Sequence, residues 1–86
     1  MNFDVEVRIS LKPGILDPEA RAIQHALADL GFPTKSLSTA RVFSFSVEAK
    51  DREEACGQAR QMCERLLANP VIESYTVSIA ALESAR

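Results

Sequence analysis

The sequence predicts an α+β domain of the ferredoxin-like-related order β-α-β(β)-α-β, with two helices packed on one face of an antiparallel sheet. Three segments alternate between apolar and polar residues, as half-buried strands do. Two other segments repeat apolar residues at spacings of three and four, as amphipathic helices do. Each helical pattern lies between two strand patterns, so the chain divides into two strand-helix-strand halves.

The first strand is predicted over residues 3–11, where every second side chain is apolar. Lys12–Gly14 breaks this alternation. Asp17 is placed to cap the following helix, and Pro18 suits its first position because proline has no N–H to offer there. We expect this helix to run to about Leu30, before Gly31 and Pro33. Its apolar face would consist of Ala20, Ile23, Leu27 and Leu30.

The middle of the chain predicts one clear strand and one short candidate. Lys35–Thr39 is the candidate, and Ala40 and Arg41 stand where a tight turn would join it to the next strand. Residues 42–49 then alternate clearly. Their inward-facing residues are predicted to be Phe43, Phe45, Val47 and Ala49.

The second helix is predicted over residues 51–69. Asp51 can accept hydrogen bonds from the first turn, and Glu54 occupies the reciprocal capping-box position. Asn69 in the left-handed conformation and Pro70 after it would end the helix. The predicted apolar stripe contains Ala55, Ala59, Met62, Cys63 and Leu66, with Cys56 and Leu67 at its margin.

A third alternating strand follows the second helix, with Tyr75, Val77 and Ile79 on its apolar side. Residues 81–86 are predicted to be a frayed tail. Both helices would cover the apolar face of the sheet, so the opposite face would stay open. That open face would carry small or polar groups, namely Arg8, Ser10, Ser44, Ser46, Ser74, Thr76 and Ser78.

Size and charge limit the functions that the chain can have. With 86 residues it is expected to be one domain, 1–86, that exposes about 5,000 Å² and gains stability from oligomerisation. A net charge of −2 and scattered basic residues argue against nucleic-acid binding. Neither a bilayer-spanning apolar run nor a basic leader is found, which predicts a cytoplasmic protein without a membrane partner.

The sequence offers no pattern of catalytic or metal-binding residues. Cys56 and Cys63 are seven residues apart on one helix, about 10.5 Å along its axis, so they cannot form a disulfide with each other. His25 has no companion ligand or nucleophile, and no zinc spacing occurs. The three glycines are too dispersed for a phosphate loop. We therefore expect no catalytic residue, no metal and no cofactor bound by this chain.

The sequence leaves two binding functions open, a small-molecule-binding module and an RNA-binding sheet. Small dimeric ferredoxin-like domains often bind amino acids or nucleotides at their interface, so a small-molecule-binding regulatory module is one alternative. An RNA-binding sheet is the other, since Phe43 and Phe45 lie on one strand. Both aromatic residues share the phase of Val47, however, so they are expected beneath the helices where no base could stack.

Four segments together resemble the PurS family, the small subunits of phosphoribosylformylglycinamidine (FGAM) synthase in bacteria and archaea. They are LKPGILDP over residues 11–18, QHAL over 24–27 with Gly31 and Phe32, EAKDREEA over 48–55, and MCERLLANPVIE over 62–73. The likeness covers nearly the whole chain in order. One departure is Ala40-Arg41, where the family often has Gly-Lys, so a hairpin with positive φ would be strained at Ala40.

The resemblance implies a role in de novo purine synthesis. In the implied complex a PurL-type synthetase uses ATP and Mg to activate formylglycinamide ribonucleotide, a PurQ-type glutaminase releases ammonia, and this chain bridges them without catalytic residues of its own. It also implies a homodimer or a dimer of dimers that pairs through the sheet and its edges. The candidate partner-interface residues are Lys12, Pro13, Gly14 and Asp17, with His25 and Arg52 as further candidates.

Overall fold

A three-stranded antiparallel sheet in the order β2-β1-β3 forms the framework of the chain. The computed structural model describes residues 1–81. Its elements are β1 (Asn2–Leu11), α1 (Pro18–Asp29), β2 (Ala40–Glu48), α2 (Arg52–Met62) and β3 (Glu73–Ala81). The predicted fold class is confirmed, in the form β-α-β-α-β without the optional additional strand.

The central strand β1 pairs antiparallel with both neighbours, and Val7 lies opposite Phe43 on β2 and Val77 on β3. Strands β2 and β3 are therefore parallel to each other, and α2 is the crossover that joins them. Phe43 and Phe45 are half-buried against the apolar cluster, as their phase predicted. They consequently offer no exposed stacking platform for bases.

The core forms where α2 packs on β1 and β3. Val7 and Ile9 are almost completely buried, and Ala59 and Cys63 of the helical segment have no exposed surface. Small helical side chains let the helix axis approach the sheet closely. Ala55, Phe3 and Ala49 form a second buried cluster. Both cysteines are free thiols, as expected.

The end of the second helix differs from the prediction. After Met62 the helix widens into one π-helical turn, Cys63–Leu67, closed by a 2.9 Å bond from the Ala68 N–H to the Cys63 carbonyl. The wider turn rotates Leu66 outward to 83% exposure, while Leu67 packs against the core. The helix then stops because Ala68 is extended. Asn69 does not take the predicted left-handed conformation.

The helix α1 packs more loosely than predicted. It runs from Pro18 to Asp29, close to the expected bounds, yet only Ala20 of its predicted apolar face is buried. Ile23 and Leu30 are exposed, and α1 contributes no residue to either apolar cluster. The chain accordingly exposes 6,273 Å², above the expected value of about 5,000 Å². Its radius of gyration is 16.4 Å, whereas a compact chain of this length has about 12 Å.

The predicted strand over Lys35–Thr39 and the predicted turn at Ala40-Arg41 are both wrong. Residues 35–39 form an irregular connection, and Ala40 is already the first residue of β2, opposite Ser10. The backbone reverses earlier, at Ser36, whose φ of 55° is the positive value that the hairpin prediction assigned to Ala40. Ala40 does not have a positive φ, so the expected strain at this residue is absent.

Two further predictions concern the chain end and membranes. Ala81 is the last residue of β3 rather than the start of a tail, and residues 82–86 lie outside the described part of the chain. Among residues 1–81, none of the helices has the length and apolar character required to cross a bilayer.

Candidate docking site

Two connections meet at the end of the sheet where β1 finishes. We call residues 12–17 the first loop and residues 68–72 the second loop. The backbone N–H of Lys12 donates to the Ile72 carbonyl, and the Lys12 Nζ donates to the Pro70 carbonyl, each at 2.8 Å. Lys12, one of the candidate partner-interface residues, therefore ties the two loops to each other.

The first loop begins with a tight turn. Gly14 has φ of +86°, and the Ile15 N–H donates to the Lys12 carbonyl at 3.2 Å. Proline at the second position and glycine with positive φ at the third are typical of a type II turn. Nothing lies within 4 Å of the place where a Cβ of Gly14 would be, so glycine is required there for its backbone conformation rather than for space. Pro13 and Gly14 are both exposed.

Asp17 joins the first loop to the segment that enters β2. Its Oδ1 accepts from the Ala20 N–H and its Oδ2 from the Thr39 hydroxyl, both at 3.0 Å. The predicted capping role is confirmed. The hydrogen bond from the Ala20 backbone, aided by that from Thr39, holds the pKa of Asp17 below its ordinary value of 3.8, although desolvation acts in the opposite direction.

This lowered pKa makes the start of α1 sensitive to acid. A carboxyl group whose pKa is depressed in the folded state stabilises it above the unfolded pKa, and this contribution is lost as pH falls through the folded value. We expect the Ala20 amide resonance to shift only once pH falls below the ordinary carboxyl pKa of 3.8. NMR titration of the wild type against Asp17→Asn checks this, since asparagine still caps but does not titrate. The same Ala20 titration in both proteins would contradict the assignment.

The second loop is held by its own backbone and by the side chain of Asn69. The Asn69 Oδ1 accepts from the Val71 N–H at 3.1 Å, and the Asn69 carbonyl accepts from the N–H groups of Ile72 and Glu73. The Asn69 N–H in turn donates to the Glu73 Oε1 at 2.7 Å. Asn69 thus closes a turn through its side chain instead of capping the helix.

Arg41 connects the second loop to β2. Its Nη2 donates to the Leu67 carbonyl at 3.3 Å and pairs with Glu73 Oε2 at 3.1 Å. Its guanidinium also lies 5.7 Å from the centre of the Phe43 ring. Sequence reasoning missed Arg41 because it placed the residue in a turn. The available signal was its phase, since extending the β2 alternation backward puts a cation on the apolar side.

Large apolar side chains are exposed within or next to the two loops. Leu16 belongs to the first loop, Val71 belongs to the second loop at 77% exposure, and Leu66 precedes the second loop. Exposed apolar groups on a segment held by hydrogen bonds are typical of protein contacts, because little conformational freedom is lost on binding.

The structure brings together four of the six predicted interface residues: Lys12, Pro13, Gly14 and Asp17. It does not bring the other two to this end. His25 is exposed on α1. Arg52 lies at the start of α2, at the opposite end of the sheet, where its Nη1 donates to the Ile79 carbonyl at 2.7 Å.

The charged side chains at this end of the sheet hold the two loops in place. Lys12, Asp17, Arg41 and Glu73 all use their charged groups in hydrogen bonds within the chain. Burial raises the pKa of the Cys63 thiol, which keeps it protonated and unreactive. Within residues 1–81, no group of three or more His, Cys, Asp or Glu side chains is arranged to hold a metal ion.

The chain matches a known protein family over almost all of its described residues. The family model PurS, described as phosphoribosylformylglycinamidine (FGAM) synthase, matches residues 4–81. The chain belongs to the PurS family. It is 46% identical over 83 residues to the PurS subunit of Methanothermobacter thermautotrophicus, covering 96% of this chain and 99% of that subunit. It is 49% identical over 73 residues to PurS of Archaeoglobus fulgidus, covering 84% and 91%.

A solved structure of PurLQS from Thermotoga maritima contains a chain of the same fold. The TM-score is 0.85 with 30% sequence identity, and the match covers 93% of the present chain and 99% of that one. The family match to residues 4–81 spans both loops of the candidate docking site.

Proposed function

We propose that this PurS-family chain is the non-catalytic small subunit of FGAM synthase in de novo purine synthesis. It bridges a PurL-type synthetase and a PurQ-type glutaminase. The complex converts formylglycinamide ribonucleotide, glutamine, ATP and water to FGAM, glutamate, ADP and phosphate. The observation that carries the proposal is the match over residues 4–81 to a family whose fold also occurs in the PurLQS structure.

Physical chemistry explains why such a reaction needs a bridging subunit. Ammonia released into water is diluted and largely protonated, and the protonated form is not a nucleophile. Docking the glutaminase against the synthetase keeps ammonia at a high effective concentration on a sheltered route. The two loops suit the docking role because hydrogen bonds fix their shape before a partner arrives.

The remaining parts of the proposal follow from this role. ATP and Mg bind to the synthetase subunit, and this chain binds no cofactor. The chain acts in the cytoplasm as a single PurS-like domain, 1–86, in a homodimer or a dimer of dimers. Oligomerisation is supported by the exposed apolar side chains of α1, because a subunit contact would remove them from water.

The deciding experiment is reconstitution from separately purified subunits. We expect the synthetase and glutaminase to co-purify only when this chain is present, and glutamine-dependent FGAM formation to fall at least about tenfold without it. Ammonia-dependent formation by the synthetase should change much less. A complex that assembles and runs at full rate without the chain would overturn the proposal.

The regulatory alternative has a separate readout. A small-molecule-binding module must bind its ligand as the isolated chain, so isothermal titration with glutamine, ATP and formylglycinamide ribonucleotide discriminates the two functions. We expect no binding of any of the three, while binding of one of them would favour the regulator.

A further inference from the structure

The hydrogen-bond pattern of the sheet shows which backbone N–H and C=O groups of the edge strands β2 and β3 have no strand partner. The Lys12 N–H donates to the Ile72 carbonyl, which extends the ladder between β1 and β3. The backbone N–H and C=O groups of the even-numbered residues of β1 therefore point toward β3. The Ala49 N–H donates to the Met1 carbonyl, which extends the ladder between β1 and β2. The backbone N–H and C=O groups of the odd-numbered residues of β1 therefore point toward β2.

The register then shows which residues of the two edge strands direct their backbone N–H and C=O groups away from β1; we call these residues outward-facing. On β3, the outward-facing residues lie opposite odd-numbered residues of β1. On β2, they lie opposite even-numbered residues of β1. An unpaired row of N–H and C=O groups on an edge strand is a template for another strand. The outward-facing residues are Tyr75, Val77 and Ile79 on β3, and Val42, Ser44, Ser46 and Glu48 on β2.

Two of these outward carbonyls are occupied by side chains of α2. The Ile79 carbonyl accepts from the Arg52 Nη1 at 2.7 Å. The Glu48 carbonyl, on the opposite edge, accepts from the Gln58 Nε2 at 3.1 Å. Both lie toward the end of the sheet where β1 begins. In residues 1–81, no other side chain donates to an outward carbonyl of β2 or β3.

We propose that Arg52 and Gln58 are edge guards, which block strand addition at this end of the sheet and so determine where along the edges another strand can pair. An added strand must donate its own N–H groups to the outward carbonyls. At Ile79 it would have to displace a charge-assisted hydrogen bond and the guanidinium that makes it. Within residues 1–81, no side chain donates to the outward carbonyl of Tyr75 or Val77, although Arg60 lies beside this stretch of the edge. This inference does not depend on the proposed function.

The test compares the full-length wild type with Arg52→Met, which keeps an unbranched apolar stem but removes the guanidinium donor. We expect Arg52→Met to self-associate with a dissociation constant at least about tenfold lower, measured by sedimentation velocity over a concentration series. Hydrogen exchange at the Ile79 amide should slow by a similar factor, because an added strand would cover it. Arg52→Lys should restore wild-type behaviour.

The matched control is Arg65→Met. Arg65 is an exposed arginine in the π-helical turn after α2, and its side chain makes no hydrogen bond or ion pair among residues 1–81, so we expect its replacement to change neither readout. If Arg52→Met does not fold, Gln58→Met reports on the other edge through the Glu48 amide. Unchanged association of a folded variant would overturn the proposal. Association that does not slow hydrogen exchange at the Ile79 or Glu48 amide would also overturn it. The same holds if a strand already protects the Ile79 amide in the wild type.

Discussion

Replacing Ile9 by alanine is expected to lower the free energy of unfolding by about 2 to 5 kcal/mol, the largest stability change that we predict for this chain. Ile9 is 1% exposed on the central strand, where it belongs to the main apolar cluster. Truncation removes three buried carbon atoms and leaves a cavity beneath α2. Because the chain is short and α1 adds little to the core, other contacts can compensate only weakly.

Equilibrium unfolding in urea measures this change, and Ile15→Ala is the matched control. Ile15 is 40% exposed in the first loop and belongs to neither apolar cluster. The same chemical truncation should therefore lower the unfolding free energy by less than about 1 kcal/mol. Equal losses in the two variants would show that the core does not lie between β1 and α2.

The strands and the caps of the helices were predictable because their signals are local. Alternation in the sequence fixes which side chains of β1 face the core, and Asp17 and Asp51 accept the N-terminal hydrogen bonds that their positions predicted. No knowledge of distant contacts was needed for these features.

The end of α2 was not predictable from periodicity. The π-helical turn inserts one residue into the helical repeat. Leu66, which the regular repeat placed on the apolar stripe, is therefore exposed, and Leu67, predicted at the margin of the stripe, packs against the core. Contacts from outside the helix accompany the inward position of Leu67, and they include the hydrogen bond from Arg41 to the Leu67 carbonyl.

The candidate docking site was only partly predictable, because part of it depends on contacts between residues that are distant in the sequence. The first loop could be identified from its own turn and cap residues. Its partner could not, since the hydrogen bond from Lys12 to Pro70 joins residues 58 positions apart. The loose packing of α1 was hidden as well, because an apolar stripe indicates that a helix face will be covered but not whether the same chain covers it.

Replacing Lys12 by methionine is expected to lower glutamine-dependent FGAM synthesis about tenfold in the reconstituted complex, close to the effect of losing one charged hydrogen bond. Methionine keeps most of the aliphatic stem but cannot donate to the Pro70 carbonyl. The two loops would then no longer be tied through this side chain, and docking would have to order them. Ammonia-dependent synthesis should stay within about twofold, since added ammonia needs no docked glutaminase.

Lys35→Met is the matched control for this experiment. Lys35 is an exposed lysine in the segment before β2, and its side chain makes no hydrogen bond within residues 1–81. The two variants change charge and size equally, so a loss confined to Lys12→Met is attributable to the joined loops rather than to net charge. Equal loss with glutamine and ammonia would instead indicate damage to the synthetase contact as a whole. An unchanged Lys12→Met complex would place the docking surface elsewhere on the chain.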